Sequence, residues 1–225
     1  MLSHLRIPKQ LNRNDINVSK VELEHTGQLL INLAKERCGI SSLEDKDILD
    51  IGCGVRFTAT IINRGIPIKS YTGLEVHKPI VDFLKQNVAT LDSRFRYHHW
   101  NVHNEQFNPD SSDYMSNFES FPFAEKFDCL WLFSVFTHLT PEDSHAMLRI
   151  LSEHVRPKGK LFFSAFIDDK VETFEDREKD NPLAHAYYGK KFMCSLIEEE
   201  GWKIDSMYER DPSKYIQHHF VCSLQ

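Results

Sequence analysis

The chain has 225 residues, 41% of them hydrophobic and 27% charged, which is typical of a soluble globular protein and unlike a disordered one. Its 27 Lys and Arg against 33 Asp and Glu give a net charge of −6, and the sequence pI is near 6.0. A nucleic-acid-binding face normally raises a domain's pI above about 9, so this balance disfavours nucleic acid as a partner.

The cysteines and the apolar runs limit the cellular context. Five cysteines lie far apart without a C-x-x-C pair, which disfavours both a disulfide framework and a metal site. The first residues hold no apolar segment of signal-peptide length, and no run approaches the roughly 18 consecutive apolar residues of a membrane span. We therefore expect a reduced, cytoplasmic protein that has no membrane segment and no metal.

Strands and helices are predicted to alternate in the first half of the chain. After a polar lead-in over residues 1–18, the apolar spacing predicts a helix from residue 19 to a glycine stop at Cys38-Gly39. Strands are then predicted over residues 47–51, 71–76 and 95–102, with helices over residues 57–63 and 79–91 between them. This order indicates βαβ units with parallel strands.

The second half continues the alternation around two irregular segments. A polar, aromatic loop over 103–125 precedes a buried strand over 127–134, a helix beginning at Thr140-Pro, a turn at 157–160 and a strand over 161–167. A charged irregular stretch over 168–188, a helix over 190–200 and strands over 202–208 and 215–224 follow. We expect one domain over residues 1–225 with an α/β fold, a doubly wound, Rossmann-like, mostly parallel seven-stranded sheet and an antiparallel C-terminal hairpin. Residues 103–125 and 168–188 would be excursions on the substrate side.

The turn after the first strand reads Asp50-Ile-Gly52-Cys-Gly54-Val-Arg56-Phe57, in a chain with 9 glycines where average usage would give roughly 16. In an open parallel sheet, ligands bind outside the carboxyl ends of the strands, and glycine lets the backbone approach them. A dinucleotide fingerprint needs a glycine where Phe57 stands, and Asp50 would repel a pyrophosphate. The turn therefore favours a cationic ligand that carries an ammonium or a sulfonium group.

The segment Leu49-Asp-Ile-Gly-Cys-Gly54 resembles the first motif of class I S-adenosylmethionine-dependent methyltransferases, acidic-x-Gly-x-Gly, and in particular their small stand-alone type that modifies small molecules. The resemblance covers roughly residues 19–225 and implies that Asp50, Gly52 and Gly54 bind S-adenosylmethionine, with S-adenosylhomocysteine as the product. The family usually has a third glycine where this chain has Arg56. This arginine would either reshape the turn or pair with the methionyl carboxylate.

The resemblance also implies roles for four residues further along. Glu75, 21 residues after Gly54, would accept hydrogen bonds from the ribose hydroxyls. Asn101, where the family usually has Asp, would accept one from the adenine amino group. Ser134 would approach the cofactor, and His138 would face the methyl acceptor, where its imidazole could act as general base.

The function that the resemblance implies is methyl transfer to a small-molecule acceptor by in-line displacement, and we expect the acceptor atom to be a hydroxyl oxygen. Two alternatives stay open: an NAD(P)-dependent oxidoreductase on the same fold, and a non-catalytic scaffold subunit that binds S-adenosylmethionine, which Arg56 in the turn would allow. His138 could also be a residue that merely precedes a helix, and Asn101 one that caps a turn. The sequence identifies neither the acceptor nor the oligomeric state.

Overall fold

Helices and strands alternate along the residues that the computed structural model describes, which are 4–12, 22–211 and 216–225. The chain divides into two units, Met1–His99 and Trp100–Gln225. The single domain over residues 1–225 stays a prediction. Within the described residues, no helix combines the length and the apolar character needed to cross a membrane.

The first unit contains three parallel strands in the order β3-β2-β1. Its elements are α1 (Leu23–Arg37), β1 (Asp47–Ile51), α2 (Arg56–Asn63), β2 (Ser70–Glu75), α3 (Lys78–Leu84) and β3 (Phe95–His99). A π-helical segment, Lys85–Ala89, continues α3. Every residue of β1 and β2 is buried, as expected for parallel strands covered on both faces. The predicted start of the first helix, residues 19–21, lies outside the described residues.

Residues 4–12, the described part of the predicted lead-in, are attached to α2. The Leu5 side chain is buried, and its backbone N–H donates to Asn63 Oδ1 at 2.6 Å. Asn63 Nδ2 donates in turn to the Leu5 carbonyl at 3.0 Å and to Glu24 Oε1 of α1 at 2.6 Å. One amide side chain therefore links the lead-in to both helices.

The second unit is built around β5, which pairs in parallel with β4 and β7 and antiparallel with β9. Its elements are β4 (Phe127–Leu132), α4 (Pro141–His154), β5 (Val155–Ile167), β6 (Phe174–Asp176), β7 (Ala186–Tyr188), α5 (Lys190–Glu199), β8 (Trp202–Tyr208) and β9 (His218–Leu224). Thr140 caps α4 as the sequence predicts, because its hydroxyl accepts from the Asp143 N–H at 3.1 Å. The antiparallel hairpin of β8 and β9 is confirmed, and Tyr215 of the predicted last strand lies outside the described residues.

Two details of the second unit differ from the sequence pattern. The turn predicted at 157–160 lies inside β5 as an irregularity, where Lys158 has a φ of 67° and the pairing with β4 shifts its register. The stretch 168–188, predicted to be irregular, contains the paired strands β6 and β7. Tyr188 at the end of β7 is fully buried, and its hydroxyl donates to the Leu139 carbonyl at 2.6 Å, which fixes this strand in the core. The α/β class with mostly parallel strands is confirmed, and these two short strands bring the number in the described residues from seven to nine.

Gly27 sets how closely α1 approaches α2. A Cβ built on Gly27 would lie 2.0 Å from Thr60 Oγ1, 2.9 Å from Thr60 Cβ and 3.3 Å from Arg56 Cγ. These distances leave no room for a methyl group, so a glycine in the middle of α1 lets this helix cover the first turn of α2. The sequence alone gives no reason for a glycine at this helical position.

We expect Gly27→Ala to destabilise the protein by about 1–3 kcal/mol, because the added methyl overpacks the contact between the helices. In an unobstructed helix the same change would be stabilising, by up to about 1 kcal/mol. Urea unfolding of the wild type and the variant measures the difference. Adding Thr60→Ala should recover part of the loss, and a stabilising Gly27→Ala would contradict the packing argument.

Candidate active site

The glycine turn after β1 is fastened to the end of β2. Gly52 and Gly54 have φ values of 65° and 48°, a region that is strained for residues with a Cβ. The Gly52 and Cys53 N–H groups donate to the Leu74 carbonyl at 2.8 and 3.2 Å. A Cβ built on Gly54 would meet no atom within 4 Å, so the space beside the turn is open to a ligand.

Glu75 holds the other side of the turn. Its side chain is 5% exposed, Oε2 accepts from the Gly54 N–H at 3.0 Å, and Oε1 accepts from the His77 N–H at 2.9 Å. Both carboxylate oxygens therefore bind backbone N–H groups on either side of the end of β2. The structure thus brings Gly52, Gly54 and Glu75 together, as the sequence predicts.

Gly73 allows this arrangement by having no side chain. A Cβ at this position would lie 2.7 Å from Cys53 Sγ and 2.8 Å from Tyr97 Cδ1. The Cys53 side chain of the turn therefore packs directly on the backbone of β2. This contact holds the turn and Glu75 in a fixed relation.

Asp50 lies directly before the turn and is 1% exposed. Its carboxyl group accepts a short hydrogen bond from the Tyr71 hydroxyl. Burial raises the pKa of Asp50 to about 8, and the negative charge of Glu75 acts in the same direction, whereas the Tyr71 hydrogen bond and the Arg56 guanidinium oppose the shift. A cation that binds at the turn would stabilise the ionised form of Asp50.

Arg56 begins α2 and lies partly buried under α1, beside Gly27. Burial lowers the pKa of its guanidinium group, and the nearby Asp50 opposes this shift. The arginine therefore places a positive charge near the glycine turn, where the sequence resemblance leads one to expect a third glycine.

Asn101 is the first predicted site residue of the second unit. It is exposed, and its side-chain carbonyl accepts from Asn108 Nδ2 at 3.1 Å. The Asn101 backbone carbonyl accepts from the Ser111 hydroxyl at 2.9 Å, which folds the following loop back on itself. The side-chain carbonyl has a second lone pair, and the adenine contact of Asn101 stays a prediction.

Ser134 follows β4 with a φ of 57°, a strained conformation for a residue with a Cβ. Its N–H donates to Ser164 Oγ at 2.8 Å, the Ser164 hydroxyl donates to Gln217 Oε1 at 2.5 Å, and Gln217 Nε2 donates to Ser134 Oγ at 3.0 Å. This closed ring of hydrogen bonds holds the exposed Ser134 hydroxyl in place. The sequence does not indicate Gln217, and the approach of Ser134 to the cofactor stays a prediction.

His138 ends a single 3₁₀ turn after β4 and is half-buried. Its Nδ1 lies 2.8 Å from the Leu183 carbonyl oxygen, and the ring packs edge-on against Phe107 with centroids 5.1 Å apart. A carbonyl oxygen only accepts, so Nδ1 carries the proton and Nε2 of the neutral ring holds the lone pair. Asn104 Nδ2 donates to the His138 carbonyl at 3.1 Å and fixes the backbone.

A pocket of about 180 Å³ lies beside the residues that hold His138. Its lining includes Asn104 and Leu183, which both bond His138, and also these acidic, aromatic and polar residues: His103, Glu105, Tyr114, Ser116, Thr140, Glu142 and Asp143. Burial raises the pKa of Asp143, and the hydrogen bond to Glu105 raises that of His103. The predicted excursion at 103–125 thus contributes to a pocket with three acidic side chains, of which Glu105 already bonds His103 at 3.2 Å. Across the described ranges, no group of three or more His, Cys, Asp or Glu side chains could hold a metal ion.

Comparison with known proteins connects these features to a family. Residues 24–207 match the family model of a methyltransferase domain. The glycopeptide N-methyltransferase MtfA complexed with S-adenosyl-L-homocysteine superposes with a TM-score of 0.62 at 11% identity, over 99% of this chain and 100% of that chain. An S-adenosylmethionine-dependent methyltransferase from Clostridium acetobutylicum ATCC 824 gives 0.62 at 11% identity, over 93% and 94% of the two chains.

A third structure extends the range of substrates among similar folds. The 1,6-didemethyltoxoflavin-N1-methyltransferase of Burkholderia thailandensis, with bound 1,6-didemethyltoxoflavin and S-adenosylhomocysteine, gives a TM-score of 0.61 at 14% identity, over 92% of this chain and 79% of that chain. At such identities the superpositions show a shared fold. Together with the family match, they confirm the resemblance predicted from residues 49–54.

We expect Asp50→Asn to change how stability depends on pH. Because burial raises the Asp50 pKa in the folded state, the stability that its neutral form provides is present below pH 4 and is lost as pH rises to about 8. Relative to the variant, the wild type should lose several kcal/mol over this range, at about 1.4 kcal/mol for each pH unit between the unfolded and folded pKa values. Urea unfolding at pH 5, 6.5 and 8 measures the difference, and parallel pH profiles would contradict it.

Proposed function

The chain belongs to the methyltransferase-domain family, and we propose that it transfers a methyl group from S-adenosylmethionine to a small-molecule acceptor, releasing S-adenosylhomocysteine. The observation that carries this proposal is the glycine turn after β1, with open space beside Gly54 and the Glu75 carboxylate bonded to its backbone.

In the first unit, four features of the turn suit the methyl donor. The absence of a Cβ at Gly54 lets the backbone come close to it, and the Glu75 carboxylate beside the turn suits the two ribose hydroxyls. The buried Asp50 carboxylate suits the ammonium group. The Arg56 guanidinium, which interacts electrostatically with Asp50, suits the methionyl carboxylate.

When bound, S-adenosylmethionine supplies a methyl group that its sulfonium sulfur has already activated. The bond from carbon to the acceptor atom forms as the bond from carbon to sulfur breaks. The main task of the protein is therefore alignment, which can contribute several kcal/mol to the rate. In the second unit we assign Asn101 to the adenine amino group and the exposed Ser134 hydroxyl to the cofactor.

We propose a hydroxyl oxygen as the methyl acceptor and His138 as the general base. The hydrogen bond from Nδ1 to the Leu183 carbonyl directs the lone pair of the neutral ring to Nε2. This nitrogen can take the hydroxyl proton while the oxygen bonds to the methyl carbon. The packing against Phe107 holds the ring plane during that step.

An amine nitrogen is a second candidate acceptor, because of the acidic pocket beside the residues that hold His138. Glu105, Glu142 and Asp143 would attract a protonated amine, and the Tyr114 ring offers a face for it. Similar folds include enzymes named as N-methyltransferases. The two candidates differ in the acceptor atom and share the methyl donor.

Calorimetric titration with S-adenosylhomocysteine tests the donor site. We expect the wild type to bind it, and Gly54→Ala to weaken binding roughly 10-fold or more, because a Cβ then occupies the space where the ligand approaches. The matched control is Gly39→Ala: Gly39 also has a positive φ, 67°, and a Cβ on it would also meet nothing within 4 Å, but it follows α1. Wild-type protein that binds NADPH but not S-adenosylhomocysteine at millimolar concentration would overturn the proposal in favour of an oxidoreductase.

Transfer of a radiolabelled methyl group to a panel of small alcohols, phenols and amines tests the acceptor and the base. With a hydroxyl acceptor, His138→Ala should lower turnover by roughly 10²-fold while the affinity for S-adenosylhomocysteine stays unchanged. His145→Ala, which removes a half-exposed histidine bonded to Glu200, is the control and should keep full turnover. Methylation of amines alone would favour the second candidate, and an unchanged rate in His138→Ala would remove this residue from the mechanism.

A further inference from the structure

A buried tyrosine on β2 is the hydrogen-bond donor of Asp50. Tyr71 lies opposite Ile48 in the parallel pairing of β1 and β2, so its side chain projects on the same face of the sheet as those of Ile48 and Asp50. The Tyr71 side chain is 0% exposed, and its hydroxyl donates to Asp50 Oδ2. Within the described residues, this is the one hydrogen bond that the Asp50 carboxyl group receives from a side chain.

The Tyr71 ring is held in place by other rings. Its centroid lies 5.8 Å from that of Phe95 and 6.2 Å from that of Tyr97. Burial raises the pKa of the Tyr71 phenol, so its hydroxyl keeps the proton that it donates. When Asp50 is ionised, Tyr71 is therefore the donor of this hydrogen bond.

The charged and titratable groups that face Asp50 within the first unit come from three elements and the turn. Glu75 on β2 disfavours its ionised form and Arg56 at the start of α2 favours it. Cys53 in the turn and Tyr97 on β3 both have a pKa raised by burial, so they are neutral. Burial and Glu75 thus work against the carboxylate, while Tyr71 and Arg56 support it.

We propose that Tyr71 is a positioning residue for the methyl donor, because its hydroxyl holds the Asp50 carboxyl group in the orientation that receives the donor's ammonium group. This inference rests on the proposed donor site and adds a residue to it. Tyr71 acts through Asp50 and lies too deep in the sheet to touch the donor itself.

The proposal couples binding to a proton. In the free protein the pKa of Asp50 is about 8, so the group is largely protonated at neutral pH, and binding of an ammonium group releases this proton. The affinity should therefore rise with pH towards 8. Loss of the Tyr71 hydroxyl would raise the Asp50 pKa further and move this rise to higher pH.

The test compares Tyr71→Phe with Tyr97→Phe by calorimetric titration of S-adenosylhomocysteine from pH 6 to 9. The two variants are matched, because each removes one hydroxyl from neighbouring buried rings; that of Tyr97 pairs with Thr58 Oγ1 at 2.9 Å and not with Asp50. The readout is the ratio of variant to wild-type dissociation constants at each pH, which cancels the titration of the ligand's own amine. We expect a ratio of roughly 10 near pH 7 for Tyr71→Phe that narrows to within about 3 near pH 9, and a ratio near 1 throughout for Tyr97→Phe.

The outcomes distinguish the role of Tyr71 from the existence of the donor site. A Tyr71→Phe ratio that does not change with pH, or that Tyr97→Phe reproduces, would overturn the role of Tyr71 and leave the donor site intact. Wild-type protein that binds no S-adenosylhomocysteine at any pH would overturn the donor site and this inference with it. If Tyr71→Phe folds poorly, Asp50→Asn is compared with the wild type instead: the ratio of their dissociation constants should grow as pH rises towards 8, because the variant cannot ionise at this position, and a ratio that does not change with pH would overturn the inference.

Discussion

Three backbone N–H groups after β1 donate to the end of β2, and the proposed binding site for the methyl donor depends on these bonds. Two of them, from Gly52 and Cys53, share the Leu74 carbonyl, and the third, from Gly54, reaches the Glu75 carboxylate. The geometry demands positive φ values that glycine adopts without strain. The same bonds place the buried Asp50 near Arg56 at the start of α2. The backbone turn therefore positions these two charged groups as well as the open space beside Gly54.

The first half of the site could be predicted because it is local. A buried strand, a glycine turn and a helix follow one another within residues 47–63, so Asp50, Gly52 and Gly54 can be recognised from their order alone. The family resemblance points to Glu75, and its spacing from Gly54 reflects the length of one βαβ step. The fold class follows from the same alternation, whereas the two short strands within 168–188 depend on the burial of Tyr188, which a charged sequence pattern conceals.

The residues that sequence reasoning missed act over distance in the chain. Tyr71 lies 21 residues from Asp50, and an aromatic residue in a buried strand has the pattern of ordinary core. Leu183 bonds His138 across 45 residues, and Gln217 bonds Ser134 across 83, from stretches without a recognisable motif. Such contacts are set by tertiary packing, so the periodicity and the motif spacing of the sequence do not predict them.

The absence of a side chain at Gly73 has a consequence for the descent of this protein. The space that a methyl group would need there is filled by the thiol of Cys53 and the ring of Tyr97, which come from a turn and from a neighbouring strand. A homologue with alanine at this position must shorten the residue in the turn and displace the ring on the strand. Positions 53, 73 and 97 are therefore constrained to covary. A homologous lineage that changes Gly73 before the residues at positions 53 and 97 passes through intermediates that distort the turn next to Glu75.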